Sequence, residues 1–127
     1  MMALSIRRNP QVIQEITAAT YTVDNGDWGS LITNRGGGAL TVTLPEPANA
    51  PTGAWVEFFL VVAGDFVIGT AGGDAMVLHN NAAADSLTTG QASEEIGNGF
   101  RVVNDGTGWL VYRFPGNEAV TTTVTDA

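Results

Sequence analysis

Glycine and proline divide this sequence into short apolar runs, and none of the runs carries a long helical period. The chain of 127 residues contains 16 glycines and five prolines. The runs between them are rich in Val, Thr, Ile and aromatic residues, which favour pleated, half-buried strands. Because turn residues recur at the spacing typical of a sandwich, the sequence predicts an all-β fold.

The length suits one domain with one hydrophobic core. We predict a single-domain β-sandwich or jelly-roll-like barrel with extended N- and C-terminal arms, and alternation in the sequence does not separate these two architectures. The expected organisation is an N-terminal arm at 1–17, a β domain at 18–115 and a C-terminal strand or tail at 116–127.

The clearest strand covers 39–44, where leucine and valine alternate with threonine. Such a period of two places the apolar side chains on one face and the threonines on the other. The glycines at 36–38 predict a flexible turn that makes 31–34 a neighbour of this strand.

The segment 55–62 is apolar on both faces except at Glu57. One face, expected in the core, contains Val56, Phe58, Leu60 and Val62. The other face contains Trp55, Phe59 and Val61, which need a second layer or a neighbouring subunit. A strand buried within one monomer and a strand that contacts another subunit remain alternatives.

Four further strands are predicted, at 66–69, 75–79, 100–103 and 109–114. The last two are expected to form a hairpin through the Asn-Asp-Gly-Thr-Gly loop at 104–108, because these residues tolerate positive φ.

Three segments are less regular. Residues 80–85 indicate a surface loop. Residues 11–16 suit one helical turn or a short strand, and 119–125 suit an edge strand or an extended arm.

The charge balance argues against nucleic acid and anionic membranes as partners. The chain has 13 Asp and Glu against five Arg, with a formal net charge of -8. Only Arg7 and Arg8 are adjacent, whereas a surface that follows phosphates needs clustered cations. The N-terminus has its charges after its few apolar residues, the reverse of a secretory signal. We therefore expect synthesis and retention in a cytoplasm until assembly or lysis.

The sequence offers little for catalysis, and we predict no catalytic residue, no metal and no cofactor. There is no cysteine, and a single histidine, His79, cannot by itself activate a nucleophile or bind zinc. Glu94 and Glu95 are adjacent, so on a strand they would point to opposite faces. Residues 24–27 (Asp-Asn-Gly-Asp) are interpreted as an Asx-type turn rather than a calcium loop.

Five aromatic residues are candidates for a sugar-stacking platform, although core and interface packing is the commoner role. The sequence does not show which of them share a face. They are Tyr21, Trp28, Trp55, Trp109 and Tyr112.

Several short motifs resemble a β module of tailed-phage virion proteins, in which a threonine-rich strand ends in Leu-Pro and an Asp-Gly hairpin leads into a Trp strand. The motifs are Tyr-Thr-Val-Asp (21–24), Leu-Ile-Thr-Asn (31–34), Leu-Thr-Val-Thr-Leu-Pro (40–45), Gly53 before Val-Glu-Phe (56–58), and residues 102–111. The resemblance spans 21–114.

The resemblance implies a capsid decoration, or cement, protein that binds the outer surface of the virion. Its expected partners are the major capsid protein and further copies of itself, as a homotrimer, with no small-molecule substrate. The alternative is a tail or head fibre module that binds host-surface polysaccharide, and a small hydrolase is a third, less supported class.

The residues expected to contact partners lie in the N-terminal arm and on the second face of the strand at 55–62. The paired arginines of the arm suit an acidic shell. These candidates are Ile6, Arg7, Arg8, Val12, Ile13, Trp55 and Phe59.

Overall fold

The computed structural model describes residues 11–78, 81–89, 96–114 and 122–125. These residues form twelve strands and one short 3-10 helix, Pro47–Asn49. The strands are β1 (Ile13–Glu15), β2 (Thr20–Thr22), β3 (Leu31–Thr33), β4 (Leu40–Leu44), β5 (Trp55–Phe59), β6 (Phe66–Thr70), β7 (Met76–Leu78), β8 (Asn81–Ala84), β9 (Ser86–Thr89), β10 (Gly99–Asn104), β11 (Trp109–Phe114) and β12 (Thr122–Thr125).

Two sheets enclose one hydrophobic core. The seven-stranded sheet has the order β1-β3-β5-β10-β11-β7-β8, and the five-stranded sheet has the order β12-β9-β6-β4-β2. Between them, the rings of Phe58 and Phe66 pack edge to face with centroids 5.7 Å apart. Other fully buried side chains of this core are Ile32, Val42, Leu44, Val56, Leu60, Ile68, Met76, Leu87, Phe100, Val102 and Trp109. The prediction of a single-domain all-β sandwich is confirmed.

The first six strands form a parallel coil. The chain alternates between the two sheets from β1 to β6, so that β1, β3 and β5 stack in parallel in one sheet. In the other sheet, β2, β4 and β6 do the same. A jelly roll is built from Greek keys of antiparallel strands. The parallel pairs therefore place this chain among the other sandwiches.

Successive turns of the coil stack closely where the chain bends from one sheet to the other. A Cβ atom on Gly64 would lie 2.6 Å from the backbone nitrogen of Ala39, and one on Gly37 would lie 3.1 Å from the carbonyl oxygen of Ile16. Neither approach leaves comfortable room for a side chain. The glycines at these bends therefore permit the stacking of one turn on the next.

Asn34 connects two of these bends. Its side chain is fully buried. The Nδ2 group donates to the carbonyl oxygens of Gly38 (2.9 Å) and Val62 (2.8 Å), and Oδ1 accepts from the backbone nitrogens of Val61 (2.8 Å) and Val62 (3.1 Å). One side chain thus satisfies four backbone groups at a place where no sheet ladder can do so.

Asn104 has the same role in the loop between β4 and β5. Its Nδ2 group donates to the carbonyl oxygens of Pro47, Ala50 and Pro51 at 2.9 to 3.1 Å. Its Oδ1 accepts from the backbone nitrogen of Gly106 at 2.8 Å. The loop between β4 and β5 is thereby fastened to the hairpin between β10 and β11.

The β10–β11 hairpin forms as predicted. The two strands are antiparallel, and the carboxylate of Asp105 accepts from the backbone nitrogens of Thr107 and Gly108. These bonds lower the pKa of Asp105, because they favour the ionised carboxylate. The Asx-type turn at 24–27 is present as well, since the nitrogen of Gly26 donates to Oδ1 of Asp24 at 2.9 Å.

Two local predictions are wrong. Residues 31–34 and 39–44 are not sheet neighbours, because the glycine turn between them carries the chain from one sheet to the other. Residues 80–85 are not simply a surface loop, because β8 occupies Asn81–Ala84 and pairs with β7. Pairing and the burial of Ala84 override the weak strand preference of Asn and Ala.

The strand at 55–62 is shorter than predicted. It ends at Phe59, and Val62 is only partly buried because Asn34 draws the following backbone into a bend. Val56, Phe58 and Leu60 are buried, as expected. Of the two alternatives for each end of the chain, the short strand at 11–16 corresponds to β1, and the edge strand at 119–125 to β12. His79, Glu94 and Glu95 lie outside the described residues.

Replacing Asn34 with Ala is expected to lower the free energy of unfolding by about 3 kcal/mol, because the two donors and two acceptors it satisfies would lose their partners. Urea unfolding measures this change. Thr41→Val, an isosteric change at an exposed site, is the control and should stay within about 0.5 kcal/mol of the original chain. A loss below about 1 kcal/mol for Asn34→Ala would contradict the role given to Asn34.

Candidate functional site

The outer faces of the two sheets differ in chemistry. We call the outer face of the five-stranded sheet the threonine face. Cross-strand register aligns its side chains in two rows. Its members on described strands are Thr20, Thr22, Thr41, Thr43, Val67, Gly69, Ser86 and Thr88.

We call the outer face of the seven-stranded sheet the apolar face. Register places an aliphatic or aromatic side chain on most of its positions. Its aliphatic and aromatic members are Ile13, Leu31, Trp55, Phe59, Val77, Val103, Leu110 and Tyr112. The same register places Glu15, Thr33, Gly99 and the paired Glu57 and Arg101 on this face as well. Phe59 and Tyr112 are 39% and 55% exposed. Exposed aromatic side chains on a largely apolar face are candidates for a contact with another molecule.

The structure places four of the predicted partner residues on or beside this face. Trp55 and Phe59 both lie on the outer side of β5, as the alternation predicts. Val12 and Ile13 lie at the edge strand β1 and are 64% and 61% exposed. The other three predicted partner residues, Ile6, Arg7 and Arg8, lie outside the described residues.

A pocket of about 410 Å³ opens where β1 meets the apolar face. Its polar lining comes from Gln11, Ser30, Glu57 and Arg101, and its aromatic lining comes from Trp28 and Trp55. Val12 also lines it. Pockets of about 300 to 1,000 Å³ commonly bind small molecules. The pocket therefore has the size and the mixed polar and aromatic lining of a ligand site.

An ion pair between Arg101 and Glu57 forms the polar side of the pocket. The guanidinium of Arg101 donates from Nε (2.9 Å) and Nη2 (2.6 Å) to Oε2 of Glu57. These residues are direct cross-strand partners on β10 and β5. The same guanidinium stacks over the ring of Trp55, 4.6 Å from its centroid. Gln11 completes the group, because its Nε2 donates to Oε1 of Glu57 at 2.9 Å.

Trp28 is fixed from the core side. Its ring stacks on that of buried Trp109 with centroids 5.6 Å apart, and its Nε1 donates to Oδ1 of Asn25 at 3.2 Å. The Nε1 of Trp109 in turn donates to the carbonyl oxygen of Pro45. The indole that lines the pocket is therefore held by contacts that reach into the sandwich core.

A buried polar network supports the loop that carries Trp28. Asp27 is almost fully buried, and the Tyr21 hydroxyl lies 2.8 Å from both of its carboxylate oxygens. The Nε2 of Gln14 donates to Oδ1 of Asp27 (2.6 Å) and to Oγ of Ser30 (3.1 Å). Because Gln14 belongs to β1 and Tyr21 to β2, this network joins the first turn of the coil to the pocket loop.

Burial, followed by the hydrogen bond to Asp27 and the negative charges of Asp27 and Asp24, raises the pKa of Tyr21 to about 12. All four causes disfavour the phenolate. The network is therefore arranged around a neutral tyrosine and an adjacent carboxylate.

Sequence reasoning found part of this site. It named Trp28 and Trp55 among five candidate aromatics but had no means to place them together. It missed Gln11 and Arg101, because their contacts with Glu57 span 46 and 44 residues. The one signal in the sequence is Glu57 itself, because a single charged residue in an otherwise apolar strand indicates a polar partner.

Two further observations concern the described parts of the chain. No group of three or more His, Cys, Asp or Glu residues there is arranged to hold a metal ion. No helix in those ranges is long and apolar enough to cross a membrane.

The Tyr21 network makes stability fall at high pH. Because the folded pKa of about 12 exceeds the ordinary value of about 10, the stabilisation is complete below pH 10 and is lost as the pH rises toward 12. Absorbance titration of the tyrosinate should show a midpoint near 12 for Tyr21.

Tyr21→Phe should remove that high-pH transition, and Asp27→Asn should lower its midpoint without restoring the ordinary value, since burial remains the largest cause. A Tyr21 midpoint near 10 would show that the network does not form.

Comparison of the chain with protein-family models, with curated proteins and with solved structures returned no match.

Proposed function

We propose that this protein is a structural virion component of a tailed bacteriophage that decorates and stabilises the outer capsid surface as a homo-oligomer. The observation that carries the proposal is the contrast between the apolar face and the threonine face. A sandwich with one apolar outer face is suited to association with a second protein surface. The resemblance of residues 21–114 to a virion β module is the reason for identifying that second surface as part of a phage particle.

The subunit contact is assigned to the part of the apolar face around Phe59 and Tyr112. Both side chains are exposed, and aromatic residues are enriched at the centres of protein interfaces. Trp55 was expected to share this role. Its ring is instead covered by the guanidinium of Arg101 and lines the pocket, so it does not enter the proposed subunit contact.

Capsid attachment is assigned to the N-terminal segment and β1. β1 is the outermost strand of its sheet among the described residues, and Val12 and Ile13 are exposed beside it. An edge strand of this kind can accept a further strand from a partner by backbone hydrogen bonding. Arg7 and Arg8 precede it in sequence and complement an acidic shell.

Binding restricted to the assembled shell stabilises that shell by mass action. An oligomer that contacts several capsid subunits at once gains further affinity through effective concentration. The protein's own net charge of -8 opposes uncontrolled self-association at high local concentration.

The full-length protein is expected to sediment with particles that lack it, and cryo-electron microscopy should show added density repeated over the head. Deletion of residues 1–10 should weaken this binding strongly, because Arg7 and Arg8 are lost, while leaving the hydrogen bonds between β1 and β3 in place. A deletion extended to residue 16 would be a poorer test, because it removes β1 and the Gln14 contacts with Asp27. Density on the tail, or undiminished binding after the 1–10 deletion, would contradict the assignment.

Replacing both Phe59 and Tyr112 with Asp is expected to convert the oligomer to monomers, because two charges would have to be buried at the subunit contact. Sedimentation-velocity ultracentrifugation measures the change in mass. Thr41→Asp on the threonine face is the matched control and should leave the oligomer intact. An oligomer that persists in the double variant would exclude this part of the apolar face as the contact.

A further inference from the structure

We infer that the pocket beside β1 binds a neutral saccharide unit. The pocket adjoins both proposed contacts, because Arg101 is the cross-strand partner of Tyr112 and Val12 contributes to the lining. Saccharide binding is nevertheless an activity beyond capsid attachment.

The polar side of the pocket is assembled before any ligand arrives. Arg101 and Gln11 both donate to Glu57, and Gln11 also donates to the carbonyl oxygen of Gly29 at 3.2 Å. The Glu57 side chain is only 13% exposed, whereas that of Arg101 is 43% exposed. A ligand would therefore meet polar groups already held in one geometry, which lowers the entropic cost of binding.

Arg101 and Glu57 together keep both donors and an acceptor that their own ion pair does not use. A guanidinium has five N–H donors, of which Arg101 directs two to Glu57. The carboxylate has about four acceptor positions, of which these bonds and the one from Gln11 occupy three. Several donors and one acceptor remain for a ligand. Hydroxyl groups suit this set because each can both donate and accept.

The charges favour a neutral ligand. Glu57 and Arg101 compensate each other within the site, and the chain as a whole carries a net charge of -8. An anionic ligand would be repelled by the overall field, and a cationic ligand would have to compete with Arg101 for Glu57. A hydroxyl-rich, uncharged molecule avoids both costs.

The aromatic lining supplies the apolar part of the site. Trp28 and Trp55 are the two of the five candidate aromatics that line the pocket, and each is immobilised, Trp28 by Trp109 and Trp55 by Arg101. A pyranose ring has an apolar face of C–H groups and a rim of hydroxyls. The indole rings suit the apolar face of such a sugar, and the neighbouring polar groups suit its hydroxyls.

The test is a microarray of neutral and acidic bacterial oligosaccharides probed with the full chain, followed by calorimetry on the sugars that bind. Gln11→Ala and Glu57→Gln should each weaken binding about tenfold or more, because each removes a hydrogen bond to or within the charged group. Gln11 is exposed, so its removal leaves the core intact. Thr41→Val on the threonine face is the control and should bind as the original chain does.

Binding of neutral sugars to the original chain, together with loss of that binding in both variants, supports the proposed site. Binding of acidic sugars alone, binding that neither variant changes, or no binding to any sugar on the array overturns it. Since the assay uses free protein, a failure here says nothing against capsid attachment, and a failure of capsid attachment leaves this test unaffected.

Discussion

Several backbone groups at the crossings between the two sheets have no ladder partner, and two buried asparagines satisfy them. Asn34 holds the bends between β3 and β4 and after β5, while Asn104 holds the loop between β4 and β5. The sequence has no cysteine, so no disulfide can share this task. An amide is suited to it because it offers donors and an acceptor on one rigid plane. These two side chains therefore hold three of the crossings between the sheets, and the stacking of the coil is built on those crossings.

Alternation in the sequence predicted most of the strands and their faces but missed β2, β8 and β9, and it did not identify the neighbours of the parallel strands. In β4, leucine and valine point inward and threonine points outward, as the period of two requires. The same alternation fits a parallel or an antiparallel partner equally well. The sequence therefore could not show that the glycine turn at 36–38 leads to the other sheet rather than to a neighbouring strand of the same sheet. Local chemistry fared better in the 104–108 loop, where Asp105 and Gly106 determine the turn within a few residues.

The candidate site was less predictable because it is built from contacts between distant parts of the chain. Glu57 and Arg101 become neighbours only when β10 pairs with β5. Trp28 approaches the pocket through its stack on Trp109, a residue 81 positions later in the sequence. A sequence pattern can nominate Trp55 or Glu57 as unusual residues in their strand. It cannot supply the register that brings them to Arg101.

The first turn of the coil connects the two proposed activities physically. β1 has a strand neighbour on one side only among the described residues, and it is anchored inward by Gln14, whose side chain binds Asp27 in the loop that carries Trp28. Gln11, just before β1, reaches Glu57 in the pocket. A partner strand added to the outer edge of β1 would pair with the strand that contains Gln14 and follows Gln11. Because coupling between two sites is reciprocal, any effect of attachment at β1 on ligand binding in the pocket would be matched by an equal effect of the ligand on attachment.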